Sequence, residues 1–312
     1  MLTVDAVTKR YGSFTAVNAV SFEAQPGRIL GLLGPNGAGK TSTIRMIAYI
    51  TAPDKGAVRF EGKPVGRWSQ ERMGYLPEER GLYKKLKVGQ QLEYLATLKG
   101  LTTADARQRA HQWLERLGGA DWYDKRTDEL SKGMQQKVQF ISTIMHEPDL
   151  LILDEPFSGL DPINATLLTD VIQELKQDGR TLLFASHRLE SVEQLCDDIC
   201  LISQGQIVLD GGLREIKRRF GRDTVIVEFE GSTAFLDEIE QAGLAEVLRQ
   251  RLHRAELRLR PGILPRQVLE VVLRHVDDVI RFESVEPPLN DIFVRVVQDQ
   301  QGQEAIPEDI TL

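Results

Sequence analysis

Eight consecutive residues, Gly34-Pro35-Asn36-Gly37-Ala38-Gly39-Lys40-Thr41, constrain this chain more than any other stretch. Before them Ile29, Leu30, Gly31, Leu32 and Leu33 form an apolar run of strand length, and after them Thr41, Ile44, Ile47 and Ala48 recur at helical spacing. A glycine-rich turn between strand and helix lets backbone N–H groups converge on a phosphate, and the helix N-terminus adds positive potential. ATP or GTP is therefore the first ligand expected. Lys40 would reach the outer phosphates, Thr41 would place its hydroxyl on Mg²⁺, and Ser42 would lie beside the nucleotide. The plain alternative is a turn that only joins two elements. The strand and helix signals on either side are the context that the phosphate reading requires.

The chain has 312 residues, 41% hydrophobic and 27% charged, which suits a globular protein of about two domains. Its net charge of −7 carries no overall basic field, so no nucleic-acid partner is expected. The first residues lack the charged and then apolar pattern of a signal peptide. No stretch approaches the roughly 20 apolar residues that span a bilayer. A cytoplasmic protein is expected, with any membrane role supplied by a partner. The two cysteines, Cys196 and Cys200, are spaced too widely for a Cys-x-x-Cys redox pair and read as buried, reduced thiols.

Over the first two thirds of the chain, strand-like apolar runs alternate with helical patterns, which predicts an α/β core with a largely parallel sheet. Val17, Val20 and Phe22, then Val58 and Phe60, predict antiparallel strands flanking the glycine-rich loop. Residues 82–145 repeat apolar positions at helical spacing (Leu92, Leu95, Leu98; Ala110, Trp113, Leu114, Leu117) and read as an inserted helical subdomain. The main domain is placed at 1–215. After it, residues 223–298 alternate strand and helix patterns as a small α+β domain ending in an apolar helix through Leu289, Ile292, Phe293 and Val296. A polar tail, 299–312, is expected to be flexible.

Leu150, Leu151, Ile152 and Leu153 form a second buried strand that ends abruptly in Asp154 and Glu155. At the C-terminal edge of a parallel sheet, Asp154 would support the Mg²⁺ shell and Glu155 would accept a proton from an attacking water. Taken alone, the pair is equally readable as a solvated turn before Pro156. Ser131, in Leu130-Ser131-Lys132-Gly133-Met134, reads as the N-cap of a helix whose apolar face is Met134, Val138, Ile141 and Met145.

Together these motifs resemble the ATP-binding subunit of an ATP-binding-cassette (ABC) transporter. The resemblance runs in order over roughly the first 215 residues. It implies a P-loop ATPase fold of ABC type, with ATP and Mg²⁺ as cofactors and hydrolysis as the reaction. The Gly34, Pro35, Asn36, Gly37, Ala38, Gly39 and Lys40 loop would then bind phosphate, and Lys40 would assist catalysis. Tyr11 matches the aromatic that stacks on adenine, and Ser131 and Gly133 match a signature that contacts the γ-phosphate of ATP held by the opposite subunit. Asp161, in Ser158-Gly159-Leu160-Asp161, matches the loop linking two sites across a dimer, and His187 matches a γ-phosphate-sensing histidine. The resemblance also implies an ATP-dependent homodimer, peripheral to the inner face of the cell membrane, under separate membrane-spanning subunits.

Two departures stand out. Glu78 occupies the place of a glutamine that contacts Mg²⁺ and the attacking water, and Lys132 and Met134 replace the usual glycine and glutamine of the signature. The Glu78 segment and the ending Pro287-Pro288-Leu289-Asn290-Asp291-Ile292-Phe293 resemble an exporter branch that includes sodium-extrusion and drug-resistance subunits. A soluble ABC ATPase, or an ATP-dependent regulator not coupled to transport, is the rival reading. Against the first, this chain holds one uninterrupted cassette; against the second, Glu155 is the residue a non-hydrolysing site does without.

Overall fold

The computed structural model describes residues 1–79, 81–220 and 223–303. It divides into two compact units, Met1–Gly212 and Leu213–Leu312.

The first unit contains ten strands and seven helices among the described residues: β1 (Leu2–Tyr11), β2 (Phe14–Ala24), β3 (Ile29–Leu33), α1 (Lys40–Ile47), β4 (Lys55–Phe60), β5 (Lys63–Pro64), α2 (Arg67–Glu71), β6 (Met73–Leu76), α3 (Val88–Leu98), α4 (Thr103–Arg116), α5 (Lys132–Ile144), β7 (Leu150–Asp154), α6 (Pro162–Gln177), β8 (Thr181–Ala185), α7 (Leu189–Leu195), β9 (Asp198–Ser203) and β10 (Gln206–Gly212). Its central sheet has the order β10-β9-β3-β8-β7-β6. All its pairings are parallel except the edge pair β9/β10. Every residue of β3, β7 and β8 is buried. These runs are near-continuously apolar because both faces of a parallel sheet are covered, which leaves no solvent face to encode.

Parallel pairing has a direct consequence for the site. The ends of β3, β6, β7 and β8 point the same way, so the residues just beyond each of them meet at one sheet edge. A second, antiparallel sheet, β2-β1-β4-β5, buries Leu2, Val4, Val17, Val20, Phe22, Val58 and Phe60 in one cluster with Leu32, Ile44, Ile47 and Ile152. In the helical insert, α3 buries Val88, Leu92 and Ala96, and α4 buries Ala106, Ala110 and Leu114, each at intervals of four residues. Cys196 and Cys200 are free and buried, and burial pushes both thiols far above their ordinary pKa.

The second unit comprises α8 (Leu213–Arg219), β11 (Thr224–Gly231), α9 (Ala234–Gln241), β12 (Ala245–Arg251), β13 (Arg254–Leu259), α10 (Pro265–His275), β14 (Val276–Val285) and α11 (Leu289–Gln303). Its antiparallel sheet has the order β12-β13-β11-β14. Val225, Val227 and Phe229 alternate inward from β11 and pack with Phe235, Ile239, Val268 and Val272. The boundary between units falls at Gly212, a few residues before the 215 read from the sequence, because α8 belongs to the second unit. The last helix also runs on to Gln303, past the expected start of the tail at 299. Gln298, Gln300 and Gln301 are good helix formers, and polarity alone does not stop a helix. The remainder of the expected tail, 304–312, lies outside the described residues.

Candidate functional site

The glycine-rich loop leaves β3 and enters α1 at Lys40 through Gly39, whose φ is 107°. A Cβ at Gly39 would lie 2.4 Å from the Ala16 carbonyl oxygen, and one at Gly34 would lie 2.1 Å from that of Ile202. Close backbone approach, as well as the left-handed turn, therefore demands glycine here. The N-terminus of α1 has no side-chain cap and no acidic residue in its first turn. Its first N–H groups stay available, and a negative ligand is what satisfies them. The Lys40 ammonium reaches back to donate to the carbonyls of Gly34 (2.7 Å) and Pro35 (3.0 Å). Burial lowers the Lys40 pKa, against the opposing pull of Asp154, Glu155 and Glu78.

Above this loop lies a cavity of about 260 Å³ lined by Tyr11, Phe14, Ala16, Asn36, Gly37, Ala38, Gly39, Lys40, Thr41, Ser42, Glu78, Asp154, Glu155 and His187. Four strand ends converge on it. β3 delivers the loop, β6 leads to Glu78, β7 ends in Asp154, and β8 leads to His187. Tyr11 and Phe14 are cross-strand partners at the β1/β2 turn and form an exposed aromatic wall.

Asp154 and Glu155 are both buried. The Asp154 carboxyl is pushed up to about 6, first by burial and then by the charges of Glu78 and Glu155, with Lys40 pulling the other way. Glu155 sits just past the strand with φ of 51°, a left-handed conformation uncommon for a residue with a side chain. Its N–H donates to the Ala185 carbonyl at 2.9 Å, and its own carbonyl accepts the Ser158 N–H at 3.1 Å. Those bonds hold the turn that swings the carboxylate across to β8. There Oε2 accepts the Ser186 hydroxyl at 3.0 Å, Oε1 accepts the His187 N–H at 2.6 Å, and the His187 ring Nδ1 lies 2.7 Å from the same oxygen. The imidazole itself stays largely exposed.

Two residue sets emerge from the sequence reading. Tyr11, Asn36 to Ser42, Glu78, Asp154, Glu155 and His187 share the cavity. Gly34 and Pro35 form the base of the loop behind it, bonded to Lys40. Ser131, Gly133 and Asp161 lie apart from the cavity and close to one another. Ser131 caps α5 by accepting the Met134 N–H, Asp161 caps α6 by accepting the Asn164 N–H, and a Cβ on Gly133 would meet the Gly159 carbonyl at 3.2 Å.

Three contributors were not singled out from the sequence. Phe14 stands opposite Tyr11, and an aromatic two residues past Gly12 was its only signal in the sequence. Ser186 holds the Glu155 carboxylate, and its position between Ala185 and His187 was legible only as adjacency. Gln139, in the middle of α5, donates from its amide to the carbonyls of Pro77 (3.2 Å) and Glu79 (3.3 Å), which fixes the segment carrying Glu78.

Among the described residues no group of three or more His, Cys, Asp or Glu side chains is arranged to hold a metal ion. Thr41, Glu78 and Asp154 nevertheless fit Mg²⁺. That ion takes one or two carboxylates and completes its shell with water and substrate phosphate, without an all-protein cage. Burial is the main cause of the raised Asp154 pKa, and the charges of Glu78 and Glu155 that add to it are the excess of negative charge such a cation relieves.

A family model described as "ABC transporter" matches residues 17–158, and one described as "ATP-binding protein DrrA1-3-like, C-terminal domain" matches 211–297. A third, "AAA domain, putative AbiEii toxin, Type IV TA system", matches 126–193 within the first unit. The chain is 42% identical over 297 residues to the uncharacterized ABC transporter ATP-binding protein YhaQ of Bacillus subtilis (strain 168), covering 95% of this chain and 98% of that one. It is 33% identical to the Nod factor export ATP-binding protein I of Paraburkholderia xenovorans (strain LB400), covering 88% and 97%. Among solved structures, an ATP-binding subunit of an ABC transporter superposes with a TM-score of 0.67 at 30% identity, covering 70% of this chain and 93% of that one. With a P-loop cavity built from four strand ends and relatives matched over nearly its whole length, this chain belongs to the ATP-binding subunits of ABC transporters, a family of ATPases.

Proposed function

We propose that the chain powers export, working as a homodimer against the inner face of the cell membrane beneath separate membrane-spanning subunits. The export direction is supported by the name of the Nod factor export relative and by the resemblance of the Glu78 segment and the C-terminal ending to an exporter branch. No helix among the described residues is long and apolar enough to cross a membrane, so a transport path would come from partners. Tyr83, Leu86 and Tyr94 are exposed on the helical insert and supply apolar anchors for such a partner.

In this reading Tyr11 and Phe14 receive the adenine base, and the loop N–H groups with Lys40 hold the phosphates. Thr41, Glu78 and Asp154 hold Mg²⁺, which supplies charge neutralisation at the phosphates when bound. Glu155 orients the attacking water and accepts its proton, while His187 contacts the γ-phosphate. Ser131 and Gly133, with Asp161 beside them, face the ATP of a second copy; their separation from the cavity is what a site shared between two copies requires.

The carrying observation is Glu155. A buried carboxylate in a left-handed turn, held by Ser186 and His187 at the cavity wall, is strain retained at a reacting position. The test is co-purification with a membrane protein encoded beside it, followed by ATPase and transport assays in vesicles. An ATPase whose activity ignores every such partner would point to a soluble role instead.

A further inference from the structure

The chain is acidic overall, yet residues 249–254 read Arg-Gln-Arg-Leu-His-Arg, with no acid among them. They form the tip of the β12/β13 hairpin, where Leu252 and His253 make the turn and Arg251 pairs directly with Arg254. The His253 carbonyl accepts the Phe229 N–H at 3.1 Å, which ties the tip to the neighbouring strand.

Arg249, Arg251, Arg254 and Glu256 line a cavity of about 140 Å³. Arg254 is held from behind. Its Nη2 lies 3.0 Å from Glu256 and its Nη1 3.6 Å from Glu228, which leaves its remaining donors unspent. Arg249 touches Glu256 only at 4.0 Å, and Arg251 has no acidic partner among the described residues. The cavity lining thus carries three guanidiniums and a single carboxylate, Glu256, with Glu228 a second partner of Arg254 behind it. Like charges directly opposite on an antiparallel pair are unfavourable, and an ordinary solvated charge ladder alternates signs to avoid this. The other registered pairs on this face do alternate: Glu228 opposes both Arg254 and Arg281, and Glu246 opposes Arg258.

We infer that the hairpin tip is a binding site for a phosphate-bearing anion. Guanidinium forks match phosphate oxygens two at a time and keep their charge at any physiological pH. A volume several times the roughly 30 Å³ that a water takes in the liquid is enough to admit a phosphate group. The phosphate belongs either to a soluble compound or to a lipid headgroup.

The test uses the full chain saturated with ADP, so that the glycine-rich loop is occupied, and titrates pyrophosphate by calorimetry. A second arm floats the same protein with phosphatidylglycerol or phosphatidylcholine vesicles. Binding of either anionic probe is expected, weakened about tenfold or more by Arg251→Glu and less by Arg249→Gln. ADP affinity and thermal unfolding should match the unaltered chain, which separates a lost site from a lost fold. Flotation with phosphatidylglycerol alone assigns the phosphate to lipid, and pyrophosphate binding without flotation assigns it to a soluble compound. Absence of both, or binding unchanged in Arg251→Glu, overturns the inference.

Discussion

The Glu155 carboxylate accepts the backbone N–H of His187 at 2.6 Å and lies 2.7 Å from the same residue's ring nitrogen, so the ends of β7 and β8 are joined through one side chain. Glu155→Gln keeps that shape but cannot take up a proton. Hydrolysis should fall by roughly 10²- to 10⁴-fold while ATP binding survives. The uncleaved nucleotide should then hold two copies together, visible by light scattering with ATP and not with ADP. Near-normal turnover would remove Glu155 from the reaction.

Glu78→Gln keeps an oxygen for Mg²⁺ and takes one negative charge away from Asp154. Activity should stay within about tenfold, or about 1.4 kcal/mol of barrier. The Asp154 carboxyl should move down toward its ordinary value, because Glu78 is the largest of the charges raising it. Steady-state ATPase checks the first point, and a larger loss would show that the carboxylate itself is needed.

Tyr83 and Leu86 are 53% and 38% exposed, and Tyr83 meets Tyr94 edge-on with ring centroids 6.4 Å apart. A double Tyr83→Asp, Leu86→Asp change should abolish coupling to a membrane partner and leave ATPase of the isolated chain nearly intact. Loss of ATPase in the isolated variant would mean that the pair supports the fold.

His146 is held down to about 4 by burial, with Lys99 and Arg109 adding to the effect. Its Nε2 lies 3.2 Å from the Met73 carbonyl, which also accepts from Lys99, and its Nδ1 is buried without a partner. A proton there has no acceptor. Because the unfolded chain takes up that proton near pH 6.5 and the folded chain only near 4, stability is full above about 6.5 and lost as pH falls toward 4. The loss is at most about 3 kcal/mol. Urea unfolding of the unaltered chain and of His146→Gln at pH 7 and pH 4.5 checks this; an equal acid loss in both would place the titration elsewhere.

The parallel core was readable because Ile29–Leu33 and Leu150–Asp154 are apolar almost throughout, a pattern that a strand covered on both faces requires. The cavity residues on the loop were readable for a related reason: tight turns at phosphates restrict residue type. The extra length of α11 was hidden because glutamine is compatible with both helix and tail. Ser186 and Gln139 were hidden for a different reason. Each acts through a hydrogen bond to a residue 31 or about 60 positions away, and nothing local in the chain marks such a partner.

Helix α5 begins at the Ser131 cap and, eight residues later, grips the carbonyls on both sides of Glu78 through Gln139. The Gln136 amide of the same helix also holds the Pro156 carbonyl at 3.0 Å, just past Glu155. At 1.5 Å of rise per residue, the span from Ser131 to Gln139 is about 12 Å of continuous helix. A displacement of Ser131 along that helix would therefore be transmitted to the segment that carries Glu78, and the Gln136 bond gives the same helix a second hold just past Glu155.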